Sequence, residues 1–505
     1  MTDPAWAAHL PPGTDPAAVD LLASGTLPAA WSAHWRAHPE RPVVRDPRGD
    51  WATGADLLAH TARVAGRLAA AGVRPGDRVL LSGPASVDLV VAHCAALRAG
   101  YVVVPVNAAY TPRELEVIAR DAQPRAALLD DEALRAAAGA VDPAMVVTGT
   151  AVDLPDGPPP PLDALDAGAP ALLPYTSGTT GSPKGALLSH GNLLASAEGL
   201  RLAWRWSERD CLILCLPLFH MHGLGVGVHG TLLAGARMVL ETRFEVDEVL
   251  AVAGDAGVGA TLFFGVPTMY ARLAEAPDLS PLRGLRLCVS GSAALAADLH
   301  ARLVDRSGQA VLERYGMTET VMLVSNPADG ERRPGTVGLP LPGVEVRLDP
   351  GTSEILVRGP NVFSGYWRRP EATTDAFTPD GWFHTGDIGA WDEAGYLAIV
   401  GRAKELIITG GYNVYPREIE DVLRAHPGVV DVAVVGTPSA EWGEVVTAYV
   451  EAGPGFDPAA LGEWAAERLA PYKRPRLLHE VAALPRNAMG KVVRDRLVPP
   501  EAEAD

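Results

Sequence analysis

Residues 175–185 read YTSGTTGSPKG, and the meaning given to this stretch decides how the rest of the chain is read. It is a poor helix and a poor strand. Gly178, Gly181 and Gly185 let main-chain N–H groups approach a ligand closely. Thr176, Ser177, Thr179 and Thr180 offer hydroxyls, and Lys184 adds a cation. Exposed N–H groups, hydroxyls and one positive charge together make a cradle for phosphate. The spacing is not G-x-x-x-x-G-K-[ST], so this is not the Walker P-loop. An ordinary surface loop is the competing reading of so much Gly, Ser and Thr, and the motifs further along the chain decide between the two.

The surrounding chain has 505 residues, enough for more than one domain and a large core. Its hydrophobic share of 48% and charged share of 21% are those of a globular protein. A net charge of −18 argues against nucleic acid or an anionic membrane as the main partner, since no basic surplus exists to neutralise phosphates. Cys94, Cys211, Cys215 and Cys288 sit singly in apolar runs, which reads as buried thiols in a reducing cytosol. Neither a leader pattern nor an apolar run of spanning length is seen, so a cytoplasmic protein is expected.

Helical patterns alternate with short apolar strands through the first 330 or so residues. Helices are expected over 55–71, 88–99 and 114–121, and strands over 78–82, 101–105, 126–129, 212–216, 286–290 and 311–313. A hairpin is expected around 43–51 and a Pro-rich surface connection over 150–168. This alternation implies an α/β class: mostly parallel sheets flanked by helices, with ligands gathered beyond the strand ends. From Val344 short β segments take over, and after Gly401 the pattern becomes a small α+β domain. The expected division is 1–400, a linker at 401–404, and 405–505.

Further motifs occur in order. ERYGMTET (313–320) offers Tyr315 to stack on a base, Thr318 to bond a phosphate and Glu319 to hold Mg²⁺ through a hard oxygen. In GWFHTGDIG (381–389), Asp387 can accept both hydroxyls of a ribose, and Arg402 in GRAKELI adds a cation. PRNAMGKV (485–492) carries Lys491. With YTSGTTGSPKG, and with GRAKELIITGGYNVYPREIE after Gly401, these resemble the ordered motifs of the adenylate-forming superfamily, which includes acyl-CoA synthetases, luciferases and peptide-synthetase adenylation domains.

The resemblance implies a large N-terminal adenylation domain with a β-rich subdomain, and a small mobile C-terminal lid. It implies an enzyme that joins a carboxylic acid to ATP, releases pyrophosphate, and passes the acyl group to coenzyme A. Thr176, Ser177, Gly178, Thr179, Thr180, Gly181 and Lys184 would hold the ATP phosphates. Gly291, Ser292 and Ala293, with Tyr315 and Gly316, would form the adenine pocket. Thr318 and Glu319 would meet the α-phosphate, with Glu319 and Thr179 on Mg²⁺, and Asp387 and Arg402 would hold the ribose. Lys404 would be the hinge residue, Gly411 would line the pantetheine tunnel, and Lys491 would bridge the carboxylate and phosphate.

Within the superfamily, LPLFHMHGLGVGVHG, RLCVSGSAAL and LERYGMTET most resemble malonyl-CoA synthetases. A dicarboxylate needs a cation for its distal end. Arg286 is the candidate, with a structural ion pair as its other reading. His220, Met221, His222, Ser292, Met317 and Val321 would line the acyl pocket, with His220 as gate or carboxylate contact, and no metal is implied by the two histidines. Met221 and the run VMLVSNP (321–327) make the pocket less polar than a malonate enzyme needs. Substituted malonates, other short or medium acids, or an aryl acid therefore stay open, as do a carrier protein or an amine as acceptor. Monomer and homodimer stay open too. A nucleotide-binding protein without catalysis is the alternative from another class; the presence of Lys184, Glu319, Asp387 and Lys491 argues against it.

Overall fold

A computed structural model describes residues 4–46, 49–176, 183–409, 412–439, 442–487 and 490–497. The chain divides into two compact units, 1–346 with 357–383, and 347–356 with 384–505. The division falls earlier than the 400/401 change of texture. The hairpin Phe383–Trp391/Leu397–Arg402 is in register from Asp387↔Arg402 to Trp391↔Leu397, and Arg417 of the following helix Pro416–Arg424 donates from Nη1 to the Ile399 carbonyl at 2.5 Å, so residues 384–402 group with the C-terminal part.

The first unit is α/β. Among its described residues, one nine-stranded sheet runs Leu339–Pro340, Val324–Ser325, Leu312–Tyr315, Leu287–Ser290, Leu262–Gly265, Cys211–Leu214, Arg237–Leu240, Pro42–Arg45, Ala52–Thr53. Its central pairings are parallel. CLIL, LFFG and LCVS are buried at every residue, as strands covered on both faces must be. A second sheet is built on Arg78–Ser82, Val102–Pro105 and Ala126–Leu129, also parallel. Helices are set by local chemistry. Thr53 with Asp56, Thr111 with Glu114, and Ser189 with Asn192 form reciprocal caps that satisfy end N–H groups of Gly54–Ala70, Pro112–Ala122 and His190–Ala203.

The hairpin expected around 43–51 is present as an antiparallel pairing of Pro42–Arg45 with Ala52–Thr53. The Pro-rich stretch carries no helix or strand, yet it is strapped down. Arg67 pairs with Asp156 at 2.7 Å, and buried Arg98 pairs with Asp163 at 2.9 Å. The helix Glu132–Val141 and the strand Val146–Thr148 are additions to the elements expected from the sequence. All four cysteines are free and buried.

Among its described residues, the second unit has a five-stranded sheet in which Gly443–Ala452 lies between Val429–Ser439 and, parallel to it, Leu477–Val481. The helices Pro416–Arg424 and Pro458–Arg468 contribute Ile419, Leu423, Leu461 and Ala465 to a core shared with Val434, Val446 and Ala448. Among the described residues, no helix of the chain is long and apolar enough to cross a membrane.

Candidate active site

In the first unit, Cys211–Leu214, Leu262–Gly265, Leu287–Ser290 and Leu312–Tyr315 are successive parallel neighbours. Residues 217–224, 291–295 and 316–321 therefore leave the same edge of the sheet, where ligands collect in such folds. The turns are held by side chains outside the expected site set. Glu313 accepts hydrogen bonds from the Leu295 N–H at 3.0 Å and the Gly335 N–H at 3.3 Å. Asn361 donates from Nδ2 to the carbonyls of Thr320 and Met322 at 2.9 and 2.7 Å. Two glycines are sterically required: a Cβ at Gly291 would overlap the Arg314 guanidinium, and one at Gly316 would overlap the Val321 carbonyl. Ser292 and Val321 have φ of +70° and +58°. For a β-branched residue such as Val321 that is a strained conformation, held by the packed turn around it.

Several of the residues expected to line an acyl pocket lie together. His222 opens the seven-residue π-helical segment His222–Val228 and stacks on Phe264 with centroids 6.4 Å apart. Its Nδ1 lies 3.5 Å from Ser292 Oγ. Met221 and Val321 both border Gly225. His220, Gly316, Met317 and Thr318 are half-buried, and Ala293 is exposed. Arg314 is only 5% exposed, and its Nε and Nη2 have no hydrogen-bond partner among the described residues. Burial pushes its pKa down to about 9, so it remains a cation at neutral pH. Burial first, and the nearby Arg314 charge second, hold His222 well below the usual histidine range, so it is neutral there. One fixed cation beside one neutral imidazole suits an anionic ligand group.

Arg286 is placed differently. Its Nε and Nη2 donate to the two carboxylate oxygens of Asp210 at 2.7 and 2.8 Å, and its Nη1 donates to the Trp204 carbonyl at 2.9 Å. Burial pushes the Asp210 carboxyl up, but the hydrogen bond from Arg286 and others from Ser207 and Thr261 hold it below its ordinary value. This is the structural ion pair, the other of the two readings of Arg286. The arginine that the sequence reading omits is Arg314; its signal is an arginine inside an otherwise buried strand, LERY.

On the nucleotide side, Tyr175–Thr176 pairs with Lys184–Ser189 and closes the base of the glycine-rich loop. Ser177, Gly178, Thr179, Thr180 and Gly181 lie outside the described residues. Thr176 Oγ1 donates to the Lys184 carbonyl at 3.4 Å. Tyr175 donates its hydroxyl to Asp121 Oδ2 at 2.6 Å, and Arg369 pairs with Asp121 Oδ1 at 2.7 Å. Lys184 Nζ stands 5.3 Å over the Tyr366 ring, and the Tyr366 hydroxyl donates to Glu319 Oε1 at 2.9 Å. Glu319 is 5% exposed, and Tyr315 beside it is buried. A buried carboxylate at a strand end has the hard-oxygen chemistry that suits Mg²⁺.

In the second unit, Asp387 is buried and pairs with Arg402 at 3.0 Å across the hairpin. Lys404 is exposed in the turn Ala403–Glu405. The Lys491 N–H donates to Asn487 Oδ1 at 3.1 Å, while its carbonyl accepts from the Asn487 N–H at 2.9 Å. Gly411 lies outside the described residues.

A parallel α/β body, motif loops gathered at one sheet edge and a separate α+β unit define the class as an adenylate-forming enzyme. The AMP-binding enzyme family matches residues 31–367, and the AMP-binding enzyme C-terminal domain matches 418–491. The chain is 39% identical over 489 residues to a feruloyl-CoA synthase of Amycolatopsis sp., covering 91% of this chain and 96% of that one. It is similar to the crystal structure of ATP-bound MatB from Rhodopseudomonas palustris, with a TM-score of 0.86, 41% identity, and coverage of 93% and 98%. It is also similar to a malonyl-CoA ligase bound to methylmalonyl-CoA and AMP, with a TM-score of 0.65, 42% identity, and coverage of 88% and 97%. The chain belongs to the AMP-binding enzyme family and is an ATP-dependent acyl-CoA ligase of the adenylate-forming superfamily.

Proposed function

We propose that this ligase activates a short acid bearing a second, distal anionic group, malonate or a 2-substituted malonate, and transfers it to coenzyme A with release of AMP and pyrophosphate. The buried Arg314 guanidinium carries the proposal. An uncompensated buried cation is costly, and a ligand carboxylate that accepts its unpaired N–H groups offsets that cost. The apolar wall of Met221 and Val321 supports an alkyl substituent on the carbon between the two carboxylates. The malonyl-CoA ligase holding methylmalonyl-CoA supports the same reading. A second reading, a less polar aryl or short-chain acid, draws on that wall and on the feruloyl-CoA synthase relative.

In this reading Lys184 and the 176–181 loop hold the phosphates, Thr318 meets the α-phosphate, and Gly291, Ser292, Ala293, Tyr315 and Gly316 surround the adenine. Asp387 and Arg402 are assigned to the ribose. Glu319, with Thr179, would hold Mg²⁺, which when bound supplies charge neutralisation on the phosphates. Lys491 brings the substrate carboxylate against the phosphate, two anions that otherwise repel. His220, His222, Ser292 and Met317 shape the acyl pocket and exclude water from an adenylate that hydrolyses. Within the second unit, a turn about 401–404 with Lys404 as hinge would exchange Lys491 for the Gly411 face before the thiol attacks.

The test is pyrophosphate release over a panel of malonate, methylmalonate, ferulate and short monocarboxylates, with and without coenzyme A. Malonate-dependent release with formation of the thioester is expected. Arg314→Met is expected to cut kcat/KM for the dicarboxylates about 30-fold or more, the cost of losing charged hydrogen bonds, and to spare monocarboxylates. Turnover confined to aryl acids would overturn the assignment.

A further inference from the structure

Tyr366 lies outside the ordered sequence motifs, yet its side chain contacts both Glu319 and Lys184. Its segment is rigidly placed. Tyr366 pairs with Ala186 and Gly365 with Leu187, so the residue sits two positions along from Lys184 on the neighbouring strand. The Tyr366 N–H donates to Thr373 Oγ1 at 2.9 Å, and the Thr373 hydroxyl donates on to the Arg369 carbonyl at 2.9 Å. Phe363 packs edge-on against the Tyr366 ring at 4.9 Å, and its own N–H donates to the Glu319 carbonyl at 2.8 Å. One short segment, 363–366, therefore grips Glu319 twice, by its backbone and by its carboxylate.

The chemistry of that grip is specific. A phenol donating to Oε1 fixes the rotation of the carboxylate and so the direction in which it faces a cation. The ring face beneath Lys184 attracts the ammonium through its quadrupole. The hydroxyl at the ring's edge holds the acid and the ring face holds the ammonium, so one side chain addresses both charges.

We propose that Tyr366 is a positioning residue: its hydroxyl orients Glu319 toward the divalent cation of a bound nucleotide, and its ring seats the Lys184 ammonium. The proposal rests on Glu319 being the metal-side acid. Full-length protein is titrated with Mn²⁺ in the presence of α,β-methylene-ATP, with free Mn²⁺ read by electron paramagnetic resonance. Tyr366→Phe is expected to raise the Mn²⁺ dissociation constant about tenfold, the usual effect of removing an outer hydrogen bond to a ligand. Its affinity for the nucleotide without metal should match the parent, which also reports a folded site. In turnover, the Mg²⁺ concentration for half-maximal pyrophosphate release should rise, with kcat recovered at saturating Mg²⁺. Tyr366→Leu, lacking the ring as well, should in addition weaken metal-free nucleotide binding. Glu319→Gln separates the two readings. A shift in Glu319→Gln with none in Tyr366→Phe overturns the role of Tyr366 alone; no shift in either removes Glu319 from the metal side.

Discussion

At the scale of single residues, two arginines in similar apolar contexts have opposite fates. Arg286 is balanced by Asp210, whereas Arg314 has no ion pair among the described residues. Removing a buried, unbalanced charge in favour of an apolar side chain of similar volume relieves desolvation. Arg314→Met should therefore unfold later than the parent, by about 1–3 kcal/mol at pH 7 without ligand. Malonate should raise the melting temperature of the parent and leave that of the variant unchanged. A variant less stable than the parent would mean that the guanidinium has a compensating partner. Sequence could not separate the two arginines, because the partner of Arg286 stands 76 positions away and nothing local announces it. The candidate motifs could be picked out because each lies within a few consecutive residues; the contacts of Arg314, Tyr366 and Asn361 are made only by folding, and no local pattern announces them.

At the scale of elements, the strands were legible from short apolar runs, and Arg78–Ser82 and Ala126–Leu129 match the expected bounds. The segment HGLGVGV was legible only as a glycine-rich turn. It forms a π-helical turn because Gly223 and Gly227 admit the Pro217 carbonyl and the Leu214 side chain where a Cβ would intrude. The helices around it bring together three buried imidazoles. His93 Nε2 lies 2.8 Å from His229 Nε2, and His190 opens the helix alongside them. Burial first, and neighbouring imidazoles second, lower His93 to about 3 and hold His229 well below the usual range; burial alone lowers His190 to about 4. The unfolded chain thus binds more protons than the native one between the ordinary histidine value and these lowered values, so stability falls as pH drops through that window. The loss from pH 7 to 5.5 should be roughly 1 kcal/mol per imidazole. Thermal unfolding of the parent at the two pH values should show the drop, and His190→Gln should show a shallower one. Equal midpoints at pH 7 and 5.5 would mean that these rings are not held neutral.

At the scale of the whole molecule, the α/β body and the α+β C-terminal part were both legible, since the hydrophobic texture after Gly401 departs from the helix–strand alternation of the first 330 or so residues. The point of division was less so. Residues 384–402 read as a continuation of the β segments before them, but contacts such as Arg417 with the Ile399 carbonyl group them with the C-terminal unit. Arg314 and Glu319 belong to the first unit, and Lys491 belongs to the second, where Arg486 and Val492 bridge its turn. If Lys491 serves only the meeting of carboxylate and phosphate, its loss concerns one half-reaction. Lys491→Ala should slow acid-dependent pyrophosphate release by about 100-fold or more, the scale of removing one electrostatic contact from a transition state. Thioester formation from supplied acyl-adenylate and coenzyme A should stay within a few-fold of the parent, because no charge then needs to be screened at the α-phosphorus. Single-turnover assays of each half-reaction, run on the same preparation, decide it. Equal losses in both would mean that Lys491 supports the fold of its turn rather than the chemistry, and Lys491→Arg, which keeps the charge on a longer stem, should then restore neither.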